Sequence, residues 1–358
     1  MGKRLVVAGY FGRENLGDDA IMLAFTRSVA DYNYDFSVIC GSPKRLSGSY
    51  GLSGVGHLDF KAIQATIESC DALVFPGGSI FQDVTSVRSV AYYSNLVRSA
   101  KKAGKKVVLL GQGVGPLDRF LGKRFAASAF EAADAIVVRD KGSAATLKSL
   151  GVRASPQVSA DMAFLLKQPE SEKGKASFGF GDMKAVGVSV RPVRKMRDRA
   201  IVGLFAKLIK LLSENRYVPV MIEMDRELDR PLIHQIAKLH GGKVPDLKGI
   251  AHPADLQRRL ARMQAVIGMR LHAGVLAATV GVPAFMVSYD PKIQVFSNAM
   301  GFPAPPNVRE ATAESLFSDF QTFIKSKEQW AESVRKSAES LAQQAERNIE
   351  VLVHTVGT

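Results

Sequence analysis

Short apolar runs alternate with helix-like stretches from the first residues of this chain, a pattern that leaves few folds open. Leu5–Gly9, Phe36–Cys40, Ala72–Phe75, Lys106–Leu110 and Ala135–Val138 are brief, apolar and rich in β-branched or aromatic residues. Between them, Asp18–Ala30, Phe60–Ser69, Val87–Ala103 and Phe120–Ala133 carry apolar side chains at helical spacing. Strands without a polar face must be covered on both sides, so the alternation predicts a parallel sheet between two helical layers. Lys167 to Ser177 is polar and aperiodic and reads as a linker. Beyond it the alternation restarts with Ala185–Val190, Tyr217–Ile222, Ala265–Gly268 and Ala284–Val287. The expected fold class is α/β: two Rossmann-like parallel-sheet domains, residues 1–170 and 178–309, facing a cleft, with a helical C-terminal tail over 310–358.

The apolar share of 46% suits a globular protein with a full core. The longest uncharged stretch, Ala273 to Tyr289, is broken by Gly281 and Pro283 and falls short of the ~20 residues a spanning helix needs, so a soluble protein is expected. Met1 to Arg4 lead straight into an apolar strand, without the h-region of a signal peptide. Cys40 and Cys70 each adjoin an apolar run and read as buried thiols of a reducing cytoplasm, with a disulfide as the alternative. A net charge of +14 raises the question of a polyanionic partner. Eight basic side chains and one acid, Asp198, lie between Lys184 and Lys210. No aromatic residue interleaves Arg191 to Arg199, and no zinc-finger or RNA-recognition pattern occurs, so nucleic acid is not an expected partner. Phosphates of a lipid headgroup and a plain solvated helix face are the two readings of that run.

The candidate chemistry concentrates at the carboxyl ends of the expected strands, the edge where open α/β sheets bind ligands. Gly268-Met269-Arg270-Leu271-His272-Ala273 joins a buried strand to a helix of small apolar residues, and Tyr289-Asp290-Pro291-Lys292 follows at the next strand end. A guanidinium, an imidazole, an ammonium and the free amides of a helix start suit an anionic substrate and a proton transfer. Asn15-Leu16-Gly17-Asp18-Asp19 follows the first strand; it matches neither the dinucleotide fingerprint nor a P-loop, and Asp18 reads equally as a helix cap. Pro76-Gly77-Gly78-Ser79, with Gln82 and Asp83, reads as an anion nest or as an ordinary strand–helix turn. Gly111-Gln112-Gly113-Val114-Gly115-Pro116 closes the fourth expected strand and Arg139-Asp140 the fifth. The six histidines are scattered and no cysteine cluster exists, so no metal is expected, with magnesium on Asp18 and Asp19 as the alternative.

These motifs, in this order, resemble the polysaccharide pyruvyl transferases, most nearly the bacterial cell-wall (CsaB-type) branch. The resemblance rests on Asn15–Asp18, Gly77–Ser86, Gly111–Pro116, Val138–Asp140, Gly268–Ala273 and Ser288–Lys292. It departs at Pro76, where a third glycine is expected. It implies a GT-B-like pair of domains with the active site in the cleft and a C-terminal helix crossing back to the first domain. The expected place is the cytoplasm, with peripheral contact at the inner face of the membrane as the alternative, and no cofactor is expected. The implied donor is phosphoenolpyruvate, and the implied acceptor a cell-wall or capsular sugar of N-acetylmannosamine type, on a polysaccharide or lipid carrier. Two acceptor hydroxyls form a pyruvate ketal and phosphate leaves; anchoring of surface-layer proteins is the downstream role. On this resemblance His272 is the acid/base, and Arg270, Arg139 and Lys292, with Gly268 and Leu271, hold the donor. Asn15, Gly17, Asp18, Gly77, Gly78, Ser79, Gln82 and Asp83 face the acceptor.

Two rivals compete with that reading. A nucleotide-sugar glycosyltransferase of the same shape would need a carboxylate on the ribose, for which Glu223 and Asp225 are candidates. A basic nucleic-acid or membrane-surface binder on an α/β scaffold is the third.

Overall fold

The computed structural model describes residues 2–84, 86–169, 184–241, 244–247 and 249–357. The chain divides into two compact units, Met1–Leu166 with Leu341–Thr358, and Lys167–Ser340. From residue 170 onward the expected linker lies outside the described residues.

In the first unit the strands are β1 (Lys3–Phe11), β2 (Tyr34–Cys40), β3 (Gly54–Gly56), β4 (Ala72–Phe75), β5 (Gly78–Phe81), β6 (Lys106–Val114), β7 (Ala135–Val138) and β8 (Gln157–Val158). They form a parallel sheet in the order β3-β2-β1-β4-β6-β7-β8, with β5 paired to β6. The second unit repeats the plan with β9 (Lys184–Ser189), β10 (Tyr217–Ile222), β11 (Asp246–Leu247), β12 (Ala265–Gly268) and β13 (Ala284–Met286), ordered β11-β10-β9-β12-β13. All of its pairings are parallel too. Both sheets are thus Rossmann-like, and each reverses its winding once, between β1 and β4 and between β9 and β12. Loops leaving the carboxyl ends of those neighbours diverge to opposite faces and open a crevice there.

Burial explains why these runs are strands. All four residues of β4 and all four of β12 are buried, so the segments are apolar on both faces. In the first unit Phe75 and Phe81 meet Tyr93 and Phe130 beneath helices Val87–Lys102 and Phe120–Ala132, with the Phe81 and Phe130 rings 4.8 Å apart. Each such ring stabilises the unit by about 2–3 kcal/mol relative to exposure. Cys40 and Cys70 are buried and unbridged; burial pushes the Cys40 thiol up to about 11 and raises Cys70 as well. Among the described residues no helix is long and apolar enough to cross a membrane.

The Gly-rich loop after β4 differs from both of its sequence readings, because Gly78–Phe81 is itself a strand. Gly77 (φ +146°) and Gly78 (φ +93°) take backbone conformations closed to other residues, and these turn the chain back into the sheet beside Gln112. Correspondingly, β6 does not stop at Leu110. It runs on to Val114 through an irregularity at Gly111 (φ +52°).

The helical stretch after residue 310 is shared between the units. Helix Ala313–Lys325 packs in the second, where Phe320 meets Tyr217 and Phe285, and Trp330 stacks on Phe323 at 5.5 Å. The last helix, Lys327–Val356, belongs to the first unit from Leu341 onward. There Asn348, fully buried, donates from Nδ2 to Ser159 Oγ (3.0 Å) and Ala345 O (2.9 Å), while Ser159 Oγ donates to Gln344 O (2.6 Å). Asn348→Ala strands buried acceptors and should cost about 1–3 kcal/mol, measured as a lower urea midpoint for the first unit.

Candidate functional site

In the second unit the charged side chains gather where β9, β12 and β13 end. Arg270 precedes helix Leu271–Thr279 and is 9% exposed. Its guanidinium is held by Asp229: Nε donates to Oδ1 (3.0 Å) and Oδ2 (3.2 Å), and Nη2 makes a further short bond to Oδ1. Asp225 stands 3.5 Å from the same Nη2. Burial pulls the Arg270 guanidinium down, but the charge and hydrogen bonds of Asp229 outweigh it and the net displacement is upward. Asp229 is fixed in turn, its Oδ2 accepting from the backbone N–H groups of Met224 (3.2 Å) and Asp225 (3.0 Å).

Tyr289 is the hub of the same edge. Its hydroxyl accepts from Arg191 Nη1 at 2.7 Å, the Arg191 Cζ lies 4.5 Å from the ring centroid, and Lys292 Nζ lies 5.5 Å from it. Burial would raise the Tyr289 hydroxyl, yet Lys292 and Arg191 prevail and lower it from its ordinary value. Asp290 caps helix Pro291–Ala299 through Lys292 N (3.1 Å) and stands 4.0 Å from Lys292 Nζ. His272 sits half-buried in the first turn of helix Leu271–Thr279, beside the half-buried Leu271.

In the first unit the ends of β1, β5, β6 and β7 bring a second group together. Asn15 caps helix Leu16–Ser28, its Oδ1 accepting from Gly17 N (3.0 Å) and Asp18 N (3.3 Å). A Cβ on Gly78 would stand 3.2 Å from Asp18 Oδ1, so the glycine lets the carboxylate lie against the backbone. Arg139 donates to Ser79 Oγ (2.9 Å) and Asp161 Oδ2 (3.1 Å), with Asp140 at 3.5 Å. Its guanidinium lies on Gly113, where any Cβ would collide with it at 2.5 Å.

Several residues expected at ligand contacts also hold the local structure together. Asn15, not Asp18, caps the helix. Asp83 is fully buried, both its oxygens accepting backbone N–H groups, from Asp118 (3.0 Å) and Arg119 (2.7 Å). Gln82 Oε1 accepts from Val84 N at 2.8 Å. Gly268 lies at the end of β12, where a Cβ would press on Met286 Sδ at 3.2 Å. Asp19 is buried on Gly12 N (2.8 Å) and Tyr50 Oη (2.8 Å), apart from the Asp18 carboxylate over Gly78. Among the described residues no group of three or more His, Cys, Asp or Glu could hold a metal ion. The rival's ribose clamps are also engaged: Arg230 grips Glu223 through Nε (2.8 Å) and Nη2 (2.9 Å), and Asp225 accepts from Leu228 N while facing Arg270.

The family model described as polysaccharide pyruvyl transferase matches residues 15–291. The chain belongs to that family. The match runs from the Asn15 cap to the residue before Lys292, so it spans both clusters of this pyruvyl transferase. No curated protein matches the sequence. Among solved structures it is similar to UDP-GlcNAc 2-epimerase from Neisseria meningitidis bound to UDP-GlcNAc, at 11% identity and TM-score 0.66, covering 98% of this chain and 100% of that one. It is likewise similar to HepE of Anabaena in complex with UDP-glucose (13%, TM-score 0.67, 98% and 100% covered). A third is the UDP-GlcNAc 2-epimerase of Methanocaldococcus jannaschii (11%, 0.64, 99% and 100%). At these identities the likeness concerns the fold alone: this pyruvyl transferase has the two-sheet architecture of GT-B-like enzymes.

Sequence reasoning did not single out Asp229 and Asp161, the carboxylates that hold Arg270 and Arg139. Nothing local marks them, since each meets its arginine only through the fold. Asp229→Ala should cost ~3–5 kcal/mol by leaving Arg270 buried without its main partner. Asp290→Ala should cost only about 1 kcal/mol, the loss of a cap. Urea denaturation of the two variants checks the order.

Proposed function

We propose that this enzyme transfers pyruvate from phosphoenolpyruvate to two hydroxyls of one sugar in a cell-wall or capsular polysaccharide precursor. The observation that carries the reading is the gathering of Arg270, Tyr289 and Lys292, with His272 in the adjoining helix turn, at the carboxyl edge of one sheet in a chain of this family. Phosphoenolpyruvate brings a phosphate and a carboxylate, and cations at strand ends suit both.

The chemistry needs a proton donor and acceptor near neutral pH, which histidine supplies. A proton adds to the methylene carbon while the first sugar hydroxyl bonds to the carbon bearing phosphate and carboxylate. The proton lost by that hydroxyl balances the one gained by the methylene. The second hydroxyl then displaces phosphate, which leaves with the electron pair of its C–O bond, and the second hydroxyl's proton ends on phosphate. His272 is the proton-transfer group, and Lys292 and the Nη1 side of Arg270 face the donor. Arg139 is assigned to the donor on the family motif. Asn15, Asp18, Gly78 and Ser79 line the acceptor side, with Gly17 and Gly77 shaping its backbone. The exposed Arg194, Lys195, Arg197 and Arg199 suit the phosphates of a lipid-linked acceptor.

The nucleotide-sugar reading keeps one support, since neighbours of the same fold are seen with UDP or UDP-sugars. Calorimetry separates the two: binding of phosphoenolpyruvate is expected, and binding of UDP in its place sinks the pyruvyl reading. His272→Ala should lower turnover with phosphoenolpyruvate by about 10²–10⁴-fold, and near wild-type turnover would remove His272 from the mechanism. Vesicles containing anionic lipid should retain the protein at low salt and release it as salt rises. Retention unaltered by Arg194→Ala/Lys195→Ala/Arg197→Ala would count against that face.

A further inference from the structure

Arg191 sits two residues beyond β9, and Arg270 two residues beyond β12. These strands are neighbours at the point where the sheet reverses its winding, so their following residues flank one crevice. Arg191 therefore leaves the basic run with which it is contiguous in sequence: Arg194, Lys195, Arg197 and Arg199 are exposed, whereas Arg191 is half-buried against Tyr289.

The three cations around Tyr289 differ in how they are balanced. Arg270 is neutralised by Asp229 and Asp225, and Lys292 has Asp290 at 4.0 Å. Arg191 has no carboxylate within ion-pair distance among the described residues. Its bonds go to neutral oxygens, from Nε to Pro192 O (3.2 Å) and from Nη1 to Tyr289 Oη (2.7 Å). Nη2 makes no hydrogen bond to any described residue. Like charges held around one ring repel each other, and an anion entering among them removes that repulsion. The guanidinium is also pre-aimed, since two of its nitrogens are tied down and the third is left to a ligand.

We propose that Arg191 is the donor-phosphate anchor of the second unit, and that Tyr289 is a positioning residue that holds its guanidinium in place. The inference rests on the pyruvyl-transfer reading and moves the main charge contact from Arg270, already spent on Asp229, to Arg191.

The test is calorimetry on the full-length protein with phosphoenolpyruvate and, separately, UDP. Arg191→Ala should weaken phosphoenolpyruvate binding by on the order of 30-fold or more, the loss expected for one partner of a charged contact. Arg191→Lys should recover only part of it, because an ammonium lacks the fork. Tyr289→Phe should weaken binding by roughly 5-fold, and adding it to Arg191→Ala should have no further effect, because Tyr289 acts through Arg191. A purely structural role would instead lower the unfolding midpoint of both single variants and add in the double. Should Arg191→Ala fail to fold, Arg191→Gln takes its place. Wild type that binds phosphoenolpyruvate, with a variant that binds it equally well, overturns the inference and leaves the pyruvyl reading standing. Wild type that binds UDP instead overturns the reading; the inference then survives as a phosphate anchor only if the Arg191 variants lose UDP. Binding of neither ligand overturns both.

Discussion

The strands at the heart of each sheet, β4 and β12, are bound by the same constraint: their hydrogen bonds are spent on parallel neighbours on both sides and their side chains are enclosed on both faces. Four consecutive buried residues in β4 and again in β12 leave no room for a functional group within a strand. Polar chemistry is thereby driven to the strand ends, where helix starts also leave N–H groups unpaired. The Asn15 cap, the Arg139 cluster, the Arg270 ion pairs and the Tyr289 hub all occupy those ends. Doubly wound topology then selects among them, because diverging connections open space only where the winding reverses.

At those ends the buried charges are arranged in shells. Asp229 holds Arg270, and the backbone amides of Met224 and Asp225 hold Asp229. Asp161 and Ser79 hold Arg139 over Gly113 in a comparable way. A buried guanidinium with nothing opposite it would be costly, so each carries its own carboxylates and is held in one orientation. Beside these held charges, the same edge of the second unit carries the ammonium of Lys292 over Tyr289, the guanidinium of Arg191 turned to the Tyr289 hydroxyl, and the half-buried His272.

Glycine has a separate part in this arrangement. Gly77 and Gly78 bend the chain back into the sheet, Gly78 makes room for Asp18, and Gly113 makes room for Arg139. The Gly-Gly-Ser stretch therefore has the look of an anion nest in sequence while acting as a strand and a platform for side chains. Its Ser79 hydroxyl accepts from Arg139, which ties the start of β5 to the end of β7.

The sequence alone determined nine of the thirteen described strands, because near-continuous apolar runs spaced by amphipathic helices have one economical solution, parallel strands covered on both faces. The short β3, β5, β8 and β11 carry no such run. Ala72–Phe75, Ala135–Val138, Tyr217–Ile222 and Ala265–Gly268 were legible to the residue. Local order also carried the motifs that mark the family, and the placing of Arg270, His272 and Lys292 at strand ends. Tertiary structure decided what each side chain does. Asp83 and Asp18 look alike in sequence, but only one is enclosed. Arg191 reads as one of a basic run, yet it turns to Tyr289, 98 residues away. Arg270 reads as a free anion clamp, yet it is held by an aspartate 41 residues before it. The physical reason is the same each time: secondary structure follows from neighbours a few positions apart, whereas the charge a group presents depends on partners that only folding brings within 3 Å.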